Sequence, residues 1–201
     1  MTKIGIIIGS IREEAESARI GKVVEKQLKL LERPVEVDVF SLRDLNVPLW
    51  TEDKWEKESQ MVADWRPISE RLKACKGFVV ISPEWAGMVP AHLKNFLLMC
   101  DGGELAHKPA QIVGVSSGMG GAYPVAELRM SGYKNNFITW LPDHIILRHV
   151  TKLFVDSVPS DLDQELLKRF QYSLRFLVET AIVMEDVRDR CQDLKTYKNG
   201  M

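Results

Sequence analysis

The most constraining feature of this chain is a set of short apolar runs with no polar residue at alternate positions. Residues 3–9 read Lys-Ile-Gly-Ile-Ile-Ile-Gly, residues 77–82 Gly-Phe-Val-Val-Ile-Ser, and residues 111–116 Gln-Ile-Val-Gly-Val-Ser. A strand with one wet face alternates. One that is apolar throughout needs cover on both faces, as inside a parallel sheet. Between the first two runs, Ile20, Val23, Val24, Leu28 and Leu31 recur at helical spacing. Residues 34–39, Pro-Val-Glu-Val-Asp-Val, alternate strictly and predict a strand at a wetter edge. Residues 144–147 supply a fifth strand. Strands alternating with helices mean βαβ units, right-handed crossovers and a doubly wound α/β sheet with helices on both faces.

The remaining helices follow from punctuation and spacing. Pro67 suits a first helical turn, and Ile68, Leu72 and Cys75 continue the pattern. Pro90 opens a helix to about residue 100, and residues 123–133 read as helical. From Asp161 to about Arg190 one long amphipathic helix is expected, with Leu162, Leu166, Phe170, Leu174, Leu177, Ala181, Met184 and Val187 on one side. Residues 41–65 hold Trp50, Trp55 and Trp65, show no period, and read as a long loop with at most a short helix. At 201 residues the chain suits a single domain over 1–201, in which 160–201 form the long C-terminal helix and tail.

Composition removes several classes of function. Lys plus Arg number 27 and Asp plus Glu 28, a formal net charge of −1. That leaves no basic field for nucleic acid. The apolar run at 4–8 is too short for a signal-peptide core, and no stretch approaches a membrane span. Cys75, Cys100 and Cys191 make neither a disulfide framework nor a metal quartet, as suits a reducing compartment. A cytoplasmic protein is expected. His92, His107, His144 and His149 stand apart from one another in sequence, without metal-ligand spacing.

In a doubly wound sheet ligands bind at the carboxyl ends of the strands. The loops after strands one, three and four are therefore the ones that matter. The first runs from Gly9-Ser10-Ile11-Arg12 to Ser17-Ala18-Arg19. It offers hydroxyls, guanidinium donors and a helix N-terminus to a phosphate. It is neither a Walker loop nor a GxGxxG fingerprint. A cap on the helix is the competing role for Ser17, and Glu13, Glu14 and Glu16 must point away from any anion. The second, Ser82 to Asn95, is stiffened by Pro83 and Pro90 and carries Trp85 and Gly87. A flat ligand suits it, with ordinary packing the competing role for Trp85. The third, Ser116-Ser117-Gly118-Met119-Gly120-Gly121, exposes successive backbone N–H groups.

These residues resemble the NADPH-dependent FMN reductase family, which includes azoreductase-, chromate-reductase- and quinone-reductase-like members. The likeness rests on G-S-x-R at 9–12, P-E-[aromatic]-x-G-x-x-P-x-x-L-K-N at 83–95, and the glycine loop followed by Leu128-Arg129. It spans roughly residues 1–150, and the middle motif is the most specific. The resemblance implies a flavodoxin-like five-stranded parallel sheet in the order 2-1-3-4-5. It implies FMN, with its phosphate on Ser10, Arg12 and Ser17. The ring would lie against Pro83, Glu84, Trp85, Ala86 and Gly87, with Ser117, Gly118, Gly120 and Gly121 on its far side. NADPH or NADH would be the electron donor, and a quinone, azo compound or free flavin the small-molecule acceptor. A homodimer or homotetramer is implied too. Where family members commonly read P-E-Y-N-G-S, this chain has Trp85, Ala86 and Met88 for the Tyr, Asn and Ser. Two other readings remain at this point: a non-catalytic binding module, and an FMN redox carrier that docks a protein partner.

Overall fold

The structure is a computed structural model and describes residues 1–191. The part of the expected C-terminal tail beyond Cys191 lies outside the described residues. Five parallel strands form one sheet: β1 (Thr2–Ile8), β2 (Val35–Ser41), β3 (Gly77–Pro83), β4 (Pro109–Val115) and β5 (Thr139–Leu147). Their spatial order is β2-β1-β3-β4-β5, the order the resemblance implied, and β2 is an edge strand as its alternation predicted.

Strand side chains alternate between two dry layers. Ile7, Phe40, Phe78, Val80 and Ile112 pack against α2 (Gln60–Ala74), α3 (Ala91–Met99) and α4 (Ala122–Ser131). Ile4, Ile6, Ile8, Val79, Ile81 and Val113 pack against α1 (Glu16–Lys29) and α5 (Asp161–Arg190). Burial on both faces is what the uninterrupted apolar runs required. No helix among the described residues is long and apolar enough to cross a membrane.

Three expectations are corrected. Pro67 does not open a helix; it lies inside α2, which begins seven residues earlier behind the cap Ser59. The Ser59 hydroxyl accepts the N–H of Val62 at 3.2 Å. The supposed long loop therefore ends at Ser59, with one 3-10 turn at Glu52–Trp55. Trp65 belongs to the α2 helix and is buried against Phe96, donating its indole N–H to Glu104 at 3.1 Å. Trp55 is well exposed and Trp50 half-buried. Strand β5 also starts at Thr139, five residues before the expected start. Pro142 sits where the register jumps between Ala110 and Ile112, and an irregular edge strand is where proline is tolerated.

Helix α5 runs unbroken for 30 residues. Its start is a capping box: the Ser160 hydroxyl accepts the Asp163 N–H, and the Asp163 carboxylate accepts from the Ser160 N–H and hydroxyl. That carboxylate also accepts the N–H of Phe154 at 2.8 Å. Burial alone would raise its pKa, but these donors hold it below the usual value.

Candidate cofactor site

All three loops meet at the carboxyl edge of the sheet. A cleft of about 70 Å³ there is lined by Ser10, Arg12, Ala15, Glu16, Ser17, Pro83, Glu84, Trp85, Val115 and Ser117. A cavity needs roughly 10–15 Å³ of such space to admit one water, so the cleft has room for a group of several heavy atoms. Of the expected site residues, Ser10, Arg12, Ser17, Pro83, Glu84, Trp85 and Ser117 share this cleft. Ala86 and Gly87 stand outside it at an exposed hairpin tip, and Gly118, Gly120 and Gly121 lie beyond it along the third loop. Two larger cavities, of about 730 and 630 Å³, are lined mainly by helices and their connections.

The first loop is built around the start of α1. Its cap position is Ala15, whose methyl group offers no oxygen, so the first N–H groups of the helix have no side-chain cap. Ser17 is the second residue of the helix and not its cap. It is 1% exposed, and its Oγ has no hydrogen-bond partner. Buried hydroxyls are rarely left so, and one beside an open helix N-terminus is poised for an anion. Ser10 is buried and its Oγ accepts the Arg12 N–H at 3.2 Å; the Arg12 side chain is exposed at the mouth. Gly9 is required by packing: a Cβ there would meet Leu93 at 2.8 Å and the Ile81 carbonyl at 2.9 Å.

Two of the three neighbouring acids are paired. Glu16, which lines the cleft, pairs with Arg19, and Arg43 lies 3.6 Å from Glu13. Arg19, offered by the sequence as another phosphate donor, serves elsewhere. It donates to the carbonyls of Val150 at 2.6 Å and Leu153 at 2.7 Å, fastening the segment after β5 to α1.

The second loop is a two-residue hairpin. Trp85 and Met88 exchange backbone hydrogen bonds of 3.0 and 2.9 Å around Ala86 and Gly87, both in the left-handed region at φ 49° and 74°. Paired positive φ values define a type I′ turn. At Ala86 the familiar Asn therefore has a backbone reason, since it adopts this conformation more readily than Ala. At Gly87 a Cβ would meet only Tyr123, at 3.9 Å.

Lys94 and Asn95, from the same motif, hold scaffolding. Lys94 pairs with Glu127, which also accepts the N–H of Val89 at 2.7 Å. Burial raises the Glu127 pKa, but these two contacts bring it below the usual value. Asn95 accepts the N–H of Trp50 at 2.8 Å and donates to the Pro48 carbonyl at 2.9 Å, tying the tryptophan loop to α3.

The third loop is fixed from three sides. Glu84 accepts the N–H of Gly121, so this amide does not face a ligand. The Gly118 N–H donates to Ser116 Oγ at 3.2 Å, and the Gly118 carbonyl accepts from the His149 N–H at 2.8 Å. Arg148, which the motifs did not single out, donates to the Met119 carbonyl at 2.7 Å. Gly121 is demanded by its φ of 101° and by Ile146, 2.7 Å from where a Cβ would sit. Gly118 is different: nothing lies within 4 Å of a Cβ there, so that side of the loop is open.

Residues 2–152 match the family model of the NADPH-dependent FMN reductases. No curated protein sequence matches the chain. The solved structure of FerB, a flavoenzyme NAD(P)H:(acceptor) oxidoreductase from Paracoccus denitrificans, is similar with a TM-score of 0.73 at 20% identity, covering 92% of this chain and 99% of that one. An oxidoreductase from Corynebacterium diphtheriae gives 0.70 at 14% identity over 90% and 97%. An azoreductase from Bacillus anthracis gives 0.57 at 14% over 92% and 100%. At these identities the likeness is one of fold.

Proposed function

The chain belongs to the NADPH-dependent FMN reductase family, and from that premise we propose that its three-loop cleft seats the phosphate of FMN and that electrons pass from NADPH or NADH to a small quinone, azo compound or free flavin. The observation that carries this reading is Ser17 Oγ, buried and unpartnered at the uncapped start of α1. A phosphate oxygen would satisfy that hydroxyl and the open helix amides together. The cleft is large enough for a phosphate-sized group, which leaves the ring outside it, along Trp85 and the open side of Gly118.

Each residue then has a binding or orienting task. Ser17 and Ser10 hold the phosphate from inside, and Arg12 neutralises it from the mouth with a planar donor pair. The 85–88 hairpin supplies the rigid wall behind the ring. Glu84 keeps the glycine loop at a fixed distance from that wall through Gly121. When bound, FMN supplies the hydride-accepting and electron-donating chemistry, and the protein supplies position and environment.

The test is spectroscopic. The purified protein loaded with FMN is treated anaerobically with NADPH, then with a benzoquinone. Loss of the visible flavin band on the first addition and its return on the second is the expected result. Failure to retain FMN, or a band that NADPH leaves unchanged, would overturn the reading. Rates with a quinone, an azo dye and free FMN then rank the acceptors.

A further inference from the structure

Arg148 follows β5 directly and belongs to none of the three loop motifs. It is exposed, so water could satisfy it, yet its Nε–H is spent on the glycine loop. That group donates to the Met119 carbonyl at 2.7 Å and to the Gly120 carbonyl at 3.3 Å. The next residue, His149, adds a third bond, from its backbone N–H to the Gly118 carbonyl at 2.8 Å. His149 does so at a φ of 48°, an uncommon conformation for a residue with a side chain. Three successive carbonyls of the loop are thus drawn to one side by two adjacent residues.

Those bonds dictate where the loop amides point. No peptide bond among the described residues is cis. Across a planar trans peptide the C=O of one residue and the N–H of the next are opposed. The N–H groups of Met119, Gly120 and Gly121 therefore point away from Arg148 and His149. The last of them reaches Glu84, a residue of the cleft, and answers that carboxylate. The other two have no acceptor among the described residues. Successive free N–H groups turned to one side form a concavity that favours negative charge. Nothing in the protein crowds the loop at Gly118.

We propose, resting on the FMN seating given above, that Arg148 is a positioning residue for the redox step. By holding the Met119 carbonyl it keeps the Gly120 N–H turned toward the ring, as the His149 N–H does for the Met119 N–H through the Gly118 carbonyl. Donors aimed at the charge that an incoming hydride brings stabilise the reduced ring more than the oxidised one. Arg148 therefore sets the reduction potential of bound FMN more than its affinity.

Two experiments test it. Dye-equilibrated reduction of the FMN-loaded protein is compared for wild type and Arg148→Met. The variant is expected to lose about tenfold in its preference for reduced over oxidised FMN, the scale of one hydrogen bond to a charged group. For a two-electron couple that lowers the potential by about 30 mV. Affinity for oxidised FMN should change by less than a few-fold. An equal loss of affinity for both forms, with the potential unchanged, makes Arg148 a structural residue and overturns the role. So does a drop that vanishes at high salt, because the exposed charge of Arg148 and not the loop geometry would then be acting. A wild-type protein that does not bind FMN overturns the seating itself. In the second experiment, solvent exchange of the loop amides is followed by NMR in the wild-type protein. FMN is expected to slow exchange at Met119 and Gly120 and to change Gly118 and Gly121 little, since these two already have acceptors. Exchange at Met119 and Gly120 that FMN leaves unchanged contradicts the proposal even where Arg148→Met fails to fold.

Discussion

The carboxylate of Glu84, at the end of β3, accepts the backbone N–H of Gly121, at the start of α4, at 2.5 Å. The same side chain fills the space a Cβ on Gly120 would need. One acid thus sets the separation of the two loops assigned to the flanks of the flavin ring. A hydrogen bond to a charged group contributes about 1.5–3 kcal/mol. Glu84→Ala is expected to weaken FMN binding about tenfold without unfolding the protein. Glu84→Gln keeps an acceptor oxygen and should recover most of the loss. Equal FMN dissociation constants for wild type and Glu84→Ala would remove Glu84 from this role.

Ala86 holds a left-handed conformation that Ala adopts at a cost of about 1–2 kcal/mol. Asn tolerates it better, so Ala86→Asn should stabilise the hairpin by about 0.5–1 kcal/mol. For a chain of this length that raises Tm by roughly 1–4 °C. FMN affinity should change by less than a few-fold. Gly87→Val should act the other way, through its φ of 74° and not through a clash inside the protein. A calorimetric scan of Ala86→Asn with Tm unchanged or lowered would contradict this account of the turn.

Much of this was legible before any coordinates. Runs such as 77–82 betrayed strands buried on both faces, because no polar residue interrupts them. The start of α2 was not legible. Its signal, Ser59, is an ordinary serine three residues before Val62, while Pro67 carried the more familiar mark of a helix start. Trp65 likewise looked like loop surface because its partners, Glu104 and Phe96, are distant in sequence. The site divides in the same way. Local motifs located the three loops, but the contacts that assemble them are long-range: Glu84 to Gly121, Lys94 to Glu127, Arg19 to Val150. No single segment reveals such pairs. The unpartnered state of Ser17 depends on what packs around it, so it too appears only in the fold.

Lys108 gives a pH signature far from the cleft, at the opposite end of β4. Its ammonium donates to the carbonyls of Leu72, Lys73 and Glu104 at 3.0, 3.0 and 2.7 Å, closing the end of α2. Burial pulls its pKa from 10.5 down to about 7. Between those values the unfolded chain holds a proton that the folded chain has released. Stability from this group therefore rises as pH increases from 7. Cys75, pushed up to about 12 from 9.0 by burial, works in the opposite direction only above pH 9. Urea titrations between pH 7 and 9 should show wild-type stability climbing more steeply than that of Lys108→Met. Parallel slopes would rule this out.

Ser17→Ala should separate stability from binding. The hydroxyl is buried without a partner, so removing it in the absence of ligand is expected to leave Tm unchanged or slightly raised. If that hydroxyl meets a phosphate, the same substitution should weaken FMN about tenfold, as expected for a hydrogen bond to a charged group. A variant that loses stability and keeps its FMN affinity would make Ser17 a structural residue.

The most direct measurement of the central claim compares FMN with riboflavin, which lacks only the phosphate, by fluorescence titration of the same protein. If the cleft of Ser10, Arg12 and Ser17 holds that phosphate, FMN should bind at least tenfold more tightly than riboflavin. Arg12→Ala and Ser17→Ala should each narrow the gap, chiefly by weakening FMN. Equal affinities for the two flavins in the wild-type protein, or a gap that neither substitution narrows, would contradict the assignment.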